Sequence, residues 1–214
     1  MIDVVIPVLN EEGSLAFSIS TLHRFLSEQC QDDWQIVIAD NGSTDSTLSV
    51  AQELSQQFGR VTFIHLDQRG RGRALKQAWL ASEADIVSYM DVDLSTDLSA
   101  FPLLVTAIRD HEYDLAVGSR LAKGAQVTGR SLKRELISRA YNILIKAMFL
   151  TRFSDAQCGF KALSRRTSQL LLPVVRDNGW FLDSELLIIA EKKGFRIKNI
   201  PVQWADDPDT RVRV

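Results

Sequence analysis

Short β-branched runs at residues 2–8, 34–40, 61–66, 86–90 and 114–118 alternate with amphipathic stretches at 14–28, 46–58, 72–81 and 98–110. Strand, helix and strand in repeated succession is the pattern of βαβ units, and it predicts a mostly parallel sheet. The runs are apolar on both faces, which places them centrally with helices covering both sides. At 214 residues, with 45% of side chains hydrophobic, the chain holds enough apolar surface for one packed domain. No internal repeat and no linker divides it. The expected fold class is α/β, a mostly parallel central sheet with helices on both faces, in a single domain over residues 1–214.

In such sheets ligands gather beyond the carboxyl ends of the strands. Three polar clusters fall there: Pro7-Val8-Leu9-Asn10-Glu11 after the first run, Asp40-Asn41-Gly42-Ser43-Thr44-Asp45 after the second, and Asp91-Val92-Asp93 after the run at 86–90. Past Gly118 the rhythm changes. Residues 119–129 read as a loop, and 131–150 as a long helix whose second half, 143–150, is apolar almost all round. Such a helix is either core or membrane-facing. The remainder reads as a short strand after Cys158, a helix after Ser164, a helix over 183–193 and a last strand ending at Trp204.

Asp91 and Asp93 stand one residue apart at a strand end, where like charges raise each other's cost unless something positive lies between them. A hard divalent cation, Mg2+ or Mn2+, meets that need, because it takes oxygen ligands and completes its shell with water and substrate phosphates. The other reading of a lone D-x-D is a loop in which Asp97 or Ser95 caps the next helix. Company favours the cation: Asp40 ends its own strand facing the same crevice, Gly42 permits a tight turn, and Ser43 or Thr44 can cap the helix after it.

Other classes are set aside on composition. A formal charge of −2 leaves no electrostatic footprint of a nucleic-acid binder. Arg69, Arg71 and Arg73 read as a solvated or nucleotide-facing loop. Cys30 and Cys158 have neither metal-ligand spacing nor a disulfide framework, which suits a reducing compartment. Residues 1–9 read as a first strand rather than a signal peptide, and no stretch has the roughly 18 uninterrupted apolar residues of a spanning helix. A membrane segment beyond Val214 stays open.

The stretches "VVIPVLNEEGSL", "IVIADNGSTDST", "GRGRALKQA", "MDVDLSTD" and "AVGSR", in this order, resemble the family 2 glycosyltransferases of the GT-A fold. The later "LKRELISRAYNIL", "DAQCGFKAL", "WFLDSELLIIA" and "IPVQW" resemble the polyprenyl-phosphate branch, dolichyl-phosphate β-glucosyltransferase first and dolichyl-phosphate mannose synthase next. The resemblance implies inverting transfer of a hexose, glucose from UDP-glucose ahead of mannose from GDP-mannose, to a polyprenyl or dolichyl phosphate at the cytoplasmic face of a membrane. It implies that Pro7, Leu9, Asn10, Glu11 and Asp40 hold base and ribose. Asp91 and Asp93 would bind ribose, pyrophosphate and Mg2+ or Mn2+, with Asp93 the stronger metal ligand. Arg120, Arg134 and Ser138 match positions that hold the acceptor phosphate and the pyrophosphate, and Arg211 resembles a late basic residue that closes over the phosphates. Asp183 and Glu185 lie where hydroxyl-acceptor relatives keep a base. A lipid phosphate is already an anion, so here the two are expected to orient the acceptor site instead.

Lys133, Arg134, Arg139, Lys146 and Arg152 flank Leu136, Ile137, Ile143, Leu144, Met148 and Phe149, a pattern that suits a helix on an anionic bilayer. A core helix with snorkelling basic stems is the competing reading. Three rival functions remain: a haloacid-dehalogenase-type phosphatase using Asp91, a dinucleotide oxidoreductase on Gly70-Arg71-Gly72, whose continuation breaks the glycine fingerprint, and a non-catalytic binding module. Trp180 lies close enough in sequence to Asp183 to touch an acceptor.

Overall fold

The computed structural model describes residues 1–206. Alternation of side chains along the strands decides the layers. In β1 (Ile2–Val8) every residue is buried, with Ile2, Val4, Ile6 and Val8 in one apolar cluster and Val5 in the other. The first cluster is completed by α1 (Leu15–Gln29), α2 (Thr47–Gln57) and α4 (Phe101–Arg109), through Leu15, Ile19, Leu22, Ala51, Leu54, Phe101 and Leu104. The second is completed by α3 (Arg71–Ala81), α6 (Arg165–Leu171) and α7 (Leu182–Lys192), through Ala74, Leu75, Trp79, Leu171, Leu186 and Leu187. Helices therefore cover both faces, as the sequence predicts.

The central sheet has seven strands in the order β3-β2-β1-β4-β7-β5-β8. Here β2 is Trp34–Asp40, β3 Val61–His65, β4 Ile86–Met90, β5 Leu115–Ser119, β7 Phe160–Ser164 and β8 Ile197–Pro201. All neighbours are parallel except β7, which runs antiparallel between β4 and β5. The reversal brings the start of β7 to the carboxyl ends of β4 and β5, at the ligand edge.

Three details differ from the sequence reading. The expected loop at 119–129 contains a strand, β6 (Gln126–Thr128), which pairs in parallel with β9 (Gln203–Ala205) as a separate two-stranded sheet. The expected single last strand is split at Val202, whose N–H donates to Ser119 O at 3.2 Å while its carbonyl accepts from Gln126 N at 3.0 Å, so the chain changes sheets there. Residues Leu98–Ala100 form a tight 3₁₀ turn, capped by Asp97, before α4 begins.

The long helix α5 (Leu132–Phe149) is capped by the Ser131 side chain and ends at Leu150 in the left-handed conformation, with φ of 51°. Only Asn142 and Ile145 of it are buried. Leu132, Leu136, Ile143, Leu144 and Met148 lie exposed, while Ile145 is buried and Tyr141 and Phe149 pack against the second cluster, so α5 has an inner packed side and an outward apolar one. No helix among the described residues is long and apolar enough to cross a membrane.

Trp79 shows how the second cluster supports the ligand edge. It is buried, donates its indole N–H to Ser88 O at 3.2 Å and packs on Tyr89 with ring centroids 5.6 Å apart. Trp79→Ala is expected to lower unfolding free energy in urea by about 3–5 kcal/mol. A loss below about 1 kcal/mol would mean that this side of the sheet collapses around the cavity and carries little of the packing.

Candidate active site

The loops after β1 and β2 are laced together. The backbone N–H of Asn10, itself at φ of 55°, donates to Ser43 Oγ at 2.9 Å, and Asn10 Oδ1 accepts from Thr44 N at 2.8 Å. Glu11 N donates to Thr47 Oγ1 at 2.7 Å, and the Glu11 carboxylate accepts from Ser14 Oγ at 2.7 Å. Pro7 is buried inside β1 and Leu9 is half-buried just beyond it. Asp40 lies at the floor of the crevice with no exposed surface. Its Oδ1 accepts from Ser43 N at 3.2 Å and its Oδ2 lies 2.6 Å from His65 Nδ1. The residues expected around a base and ribose thus share one wall, in which Asp40 braces the turn between the two loops.

At the end of β4 the two aspartates part. Asp93 is exposed, and its Oδ1 accepts from Ser95 N at 2.9 Å. Asp91 turns inward, where its Oδ1 meets Arg71 Nη2 at 2.6 Å. Its other oxygen lies against Gly159, where an added Cβ would come within 1.7 Å of Oδ2, so only glycine fits. Arg71 then reaches Asp183 Oδ2 with Nη1 at 2.9 Å, and Asp183 Oδ1 lies 2.9 Å from Lys161 Nζ and accepts from the Tyr89 hydroxyl. The Arg71 guanidinium is sandwiched between the Tyr89 and Trp180 rings, 5.0 and 5.1 Å from their centroids. The result is a ladder of alternating charge, Lys161, Asp183, Arg71 and Asp91, leading from the interior to the crevice.

Burial alone would raise the Asp183 carboxyl, but Lys161 and then Arg71 overcome it and hold it below the usual carboxylate range. Burial, followed by the charge of Asp183, pushes the Tyr89 phenol well above its ordinary value. Asp183 is therefore a fixed anion with both oxygens engaged. Glu185 is committed elsewhere, its Oε2 accepting from Arg176 N at 3.0 Å and Asp177 N at 2.7 Å. The sequence reading has both orienting the acceptor site. In the structure Asp183 acts through Arg71, and Glu185 pins the loop that carries Trp180.

Arg120 follows β5 and makes a two-pronged pair with Asp155, Nε to Oδ2 at 2.8 Å and Nη2 to Oδ1 at 3.0 Å. Its guanidinium lies over Trp204, 4.9 Å from the ring centroid. Burial raises the Asp155 carboxyl, and Arg120 more than reverses this, leaving it below the usual range. The Trp204 indole donates to Asp206 Oδ1 at 3.1 Å, and Asp206 Oδ2 takes Arg134 Nη1 at 2.6 Å. Arg120 and Arg134 thus meet through Trp204 and Asp206, which lie far from both in sequence. Ser138, one turn beyond Arg134 on α5, is half-buried, and its carbonyl accepts from Asn142 Nδ2 at 2.9 Å. Arg211 lies outside the described residues.

Arg71 and Lys161 are the members that the sequence reading misses. Arg71 hides among three alternating arginines. Lys161 had a signal, a lone cation between Phe160 and Ala162 in an otherwise apolar strand, and it is fully buried. Among the described residues no three His, Cys, Asp or Glu side chains converge as a self-sufficient metal cage. Two hard carboxylates one residue apart, the outer one exposed, fit instead a cation that draws its remaining ligands from water and a bound phosphate.

The profile of Glycosyl transferase family 2 matches residues 3–171. Glycosyltransferase AglD of Haloferax volcanii is 38% identical over 216 residues, covering 99% of this chain and 34% of that protein. The dolichyl-phosphate beta-glucosyltransferase of Saccharomyces cerevisiae is 29% identical over 221 residues, covering 95% of this chain and 66% of its own length. The chain thus spans between a third and two thirds of these relatives. Glucosyl-3-phosphoglycerate synthase from Mycobacterium tuberculosis, solved with uridine-diphosphate, superposes with a TM-score of 0.73 at 21% identity, covering 99% of this chain and 73% of that one. The same enzyme has been solved with Mn2+ and uridine-diphosphate-glucose. The GT-A fold implied by the sequence motifs is the fold observed.

Removing the Asp183 charge leaves Lys161 buried without its ion-pair partner and Arg71 with Asp91 alone, so Asp183→Asn is expected to cost about 3–5 kcal/mol at neutral pH. The sign with pH follows from the lowered carboxyl. Its contribution is complete above the unfolded value near pH 4 and is lost as pH falls through the folded value. Thermal unfolding midpoints taken from about pH 7 down to about pH 2 should show a shallower acid limb in the variant. Parallel acid limbs would mean that Asp183 is not the titrating anchor.

Proposed function

The chain belongs to glycosyl transferase family 2, and we propose that it moves glucose from UDP-glucose onto the phosphate of a polyprenyl or dolichyl lipid, inverting the anomeric carbon. The observation that carries this reading is the commitment of Asp183 and Glu185. With both carboxylates engaged in the fold, neither serves as a base, so the acceptor has to bring a nucleophile that is already deprotonated. A phosphate does so, because it is an anion at neutral pH and attacks without a base. The dolichyl-phosphate beta-glucosyltransferase relatives support the sugar and the lipid, and the uridine-diphosphate complexes of the structural neighbour support the base. Family membership leaves no place for the phosphatase or the oxidoreductase that the short motifs alone admit.

In this reading the loops carrying Leu9, Asn10 and Glu11 seat the nucleoside. Asp91 and Asp93 would hold Mg2+ or Mn2+ with the diphosphate. A bound cation supplies charge that stabilises the departing nucleoside diphosphate. Arg71 fixes the direction of Asp91, and the arginines near Trp204 hold the acceptor phosphate in line. The outward apolar face of α5, edged by Lys133, Arg139 and Lys146, supports seating on an anionic bilayer. Two free cysteines fit its cytoplasmic side.

A donor screen with UDP-glucose and GDP-mannose, a short prenyl phosphate and Mg2+ or Mn2+ tests the reading. UDP release dependent on the acceptor is the expected result, and hydrolysis or silence with every donor would sink it. Asp93→Ala should lower kcat by about 100-fold or more, with the thermal midpoint unchanged because the side chain is exposed. Near-normal metal-dependent turnover in that variant would remove Asp93 from the site. Replacing Ile143 and Met148 together by Ser should weaken vesicle co-sedimentation about tenfold or more and spare activity on a water-soluble prenyl phosphate. Equal loss in both assays would place α5 in the active site rather than on the bilayer.

A further inference from the structure

Three guanidinium groups gather where β5, the turn before α5 and the end of β9 meet. Arg120 has Asp155 and Arg134 has Asp206. Arg130 is different. Its side chain is only 10% exposed, yet its single ion pair among the described residues is a 3.2 Å contact from Nη1 to Glu135 Oε2, on a carboxylate that also takes Arg139 at 2.5 Å. Its Nε is buried and has no hydrogen-bond partner among the described residues. A buried cationic N–H without an acceptor is costly, and native structures rarely keep one without reason. Burial and then the nearby charge of Arg120 pull the Arg130 guanidinium below its ordinary range, a sign of a cation in surplus at that point. Arg130 also directly precedes Ser131, the cap of α5, so the positive end of an 18-residue helix dipole opens beside it.

We propose that Arg130 is a ligand for a phosphoryl oxygen, carried by the acceptor's phosphate monoester or by the donor's diphosphate. The Nε–H and the Nη2 beside it form a fork, the geometry that phosphate oxygens accept, while Nη1 faces its long Glu135 contact. Arg120, with two nitrogens already on Asp155, has fewer donors left for a phosphate, and Arg130 adds donors that lack a strong partner. The inference rests on the transferase reading for its ligand, but its test also has an arm independent of turnover.

The test compares wild type with Arg130→Gln and Arg130→Lys in three measurements. Calorimetry gives the affinities for pyrophosphate and for UDP with Mn2+. Steady-state kinetics with UDP-glucose and a short prenyl phosphate give the two KM values. Thermal unfolding reports the fold. Arg130→Gln is expected to weaken pyrophosphate about tenfold or more, with the thermal midpoint unchanged or raised, since an orphaned donor has been removed. A rise in acceptor KM alone assigns the fork to the acceptor phosphate, and a rise in the UDP dissociation constant assigns it to the diphosphate. Lys recovers less than half of the loss, because it lacks the fork. Phosphoryl affinities and KM values all within about twofold of wild type would overturn the proposal, as would a fallen midpoint with every affinity weakened in parallel. If wild type transfers no sugar but its pyrophosphate affinity still depends on Arg130, the site stands and the transferase reading falls. If wild type is active and Arg130→Gln matches it throughout, the reverse holds.

Discussion

The Asp183 carboxylate is the point on which the ligand edge turns. Lys161 from β7, Arg71 from α3 and Tyr89 from β4 all meet this one side chain at the head of α7, and Arg71 carries the link on to Asp91 in the loop after β4. Buried ions repay desolvation only when their geometry is good and their remaining hydrogen-bonding capacity is met. Here each oxygen of Asp183 has a cation within 2.9 Å, and the aromatic walls of Tyr89 and Trp180 exclude water from Arg71. The alternation of charge leaves no like-charged neighbours in the ladder. Its last rung is the inner aspartate of the D-x-D pair, so the exposed chemistry inherits its direction from the interior.

The reversed strand makes this possible. In the antiparallel register Lys161 stands opposite Tyr89 on β4 and opposite Val117 on β5. The ammonium therefore lies beneath the strand end that carries Asp91. The same reversal brings Gly159 against Asp91, at a distance no side chain could share. Insertion of β7 thus supplies both the cation that anchors the ladder and the space into which Asp91 turns. In the proposed function it also bears on the chemistry, because an aspartate whose oxygens are engaged in the fold is withdrawn from base catalysis. An acceptor that arrives charged is the chemical complement of that arrangement.

The alternation of strands and helices was legible because it is local: short β-branched runs apolar on both faces, a cap or glycine between, then an apolar stripe of helical spacing. The D-x-D pair was legible because polar residues interrupt an apolar strand at the edge where ligands bind, and Arg120 only through the resemblance of its motif. Their partners were not. Arg71 and Asp183 are 112 residues apart and Tyr89 and Asp183 are 94, and nothing local to either end announces the other. The direction of β7 was hidden for the same reason, since a five-residue apolar run reads alike in both senses. The pairing of β6 with β9 depends on three residues at each strand, too few to show a period. Arg120 was found by its motif, yet its commitment to Asp155, 35 residues on, appears only in three dimensions.

The helix α5 carries apolar residues on both sides, Ile145 buried against the second cluster and a larger set facing outward. Its inward side carries Asn142, whose Oδ1 accepts from Ala156 N at 2.9 Å, and Tyr141, whose hydroxyl lies 2.8 Å from Ser184 Oγ. Its outward side carries Leu132, Leu136, Ile143, Leu144 and Met148. The inward polar groups are hydrogen-bonded and the outward apolar groups forgo burial, which is the property that a lipid-facing side needs in the proposed function. The inward contacts reach Ser184, the residue beside Asp183, and Gln157 Nε2 joins the same hydroxyl at 2.7 Å. Whatever seats the outer face of α5 therefore bears, through Tyr141 and Ser184, on the head of the helix that holds the charge ladder. In the proposed function, that couples arrival at a lipid surface to the placement of the carboxylates that receive the donor.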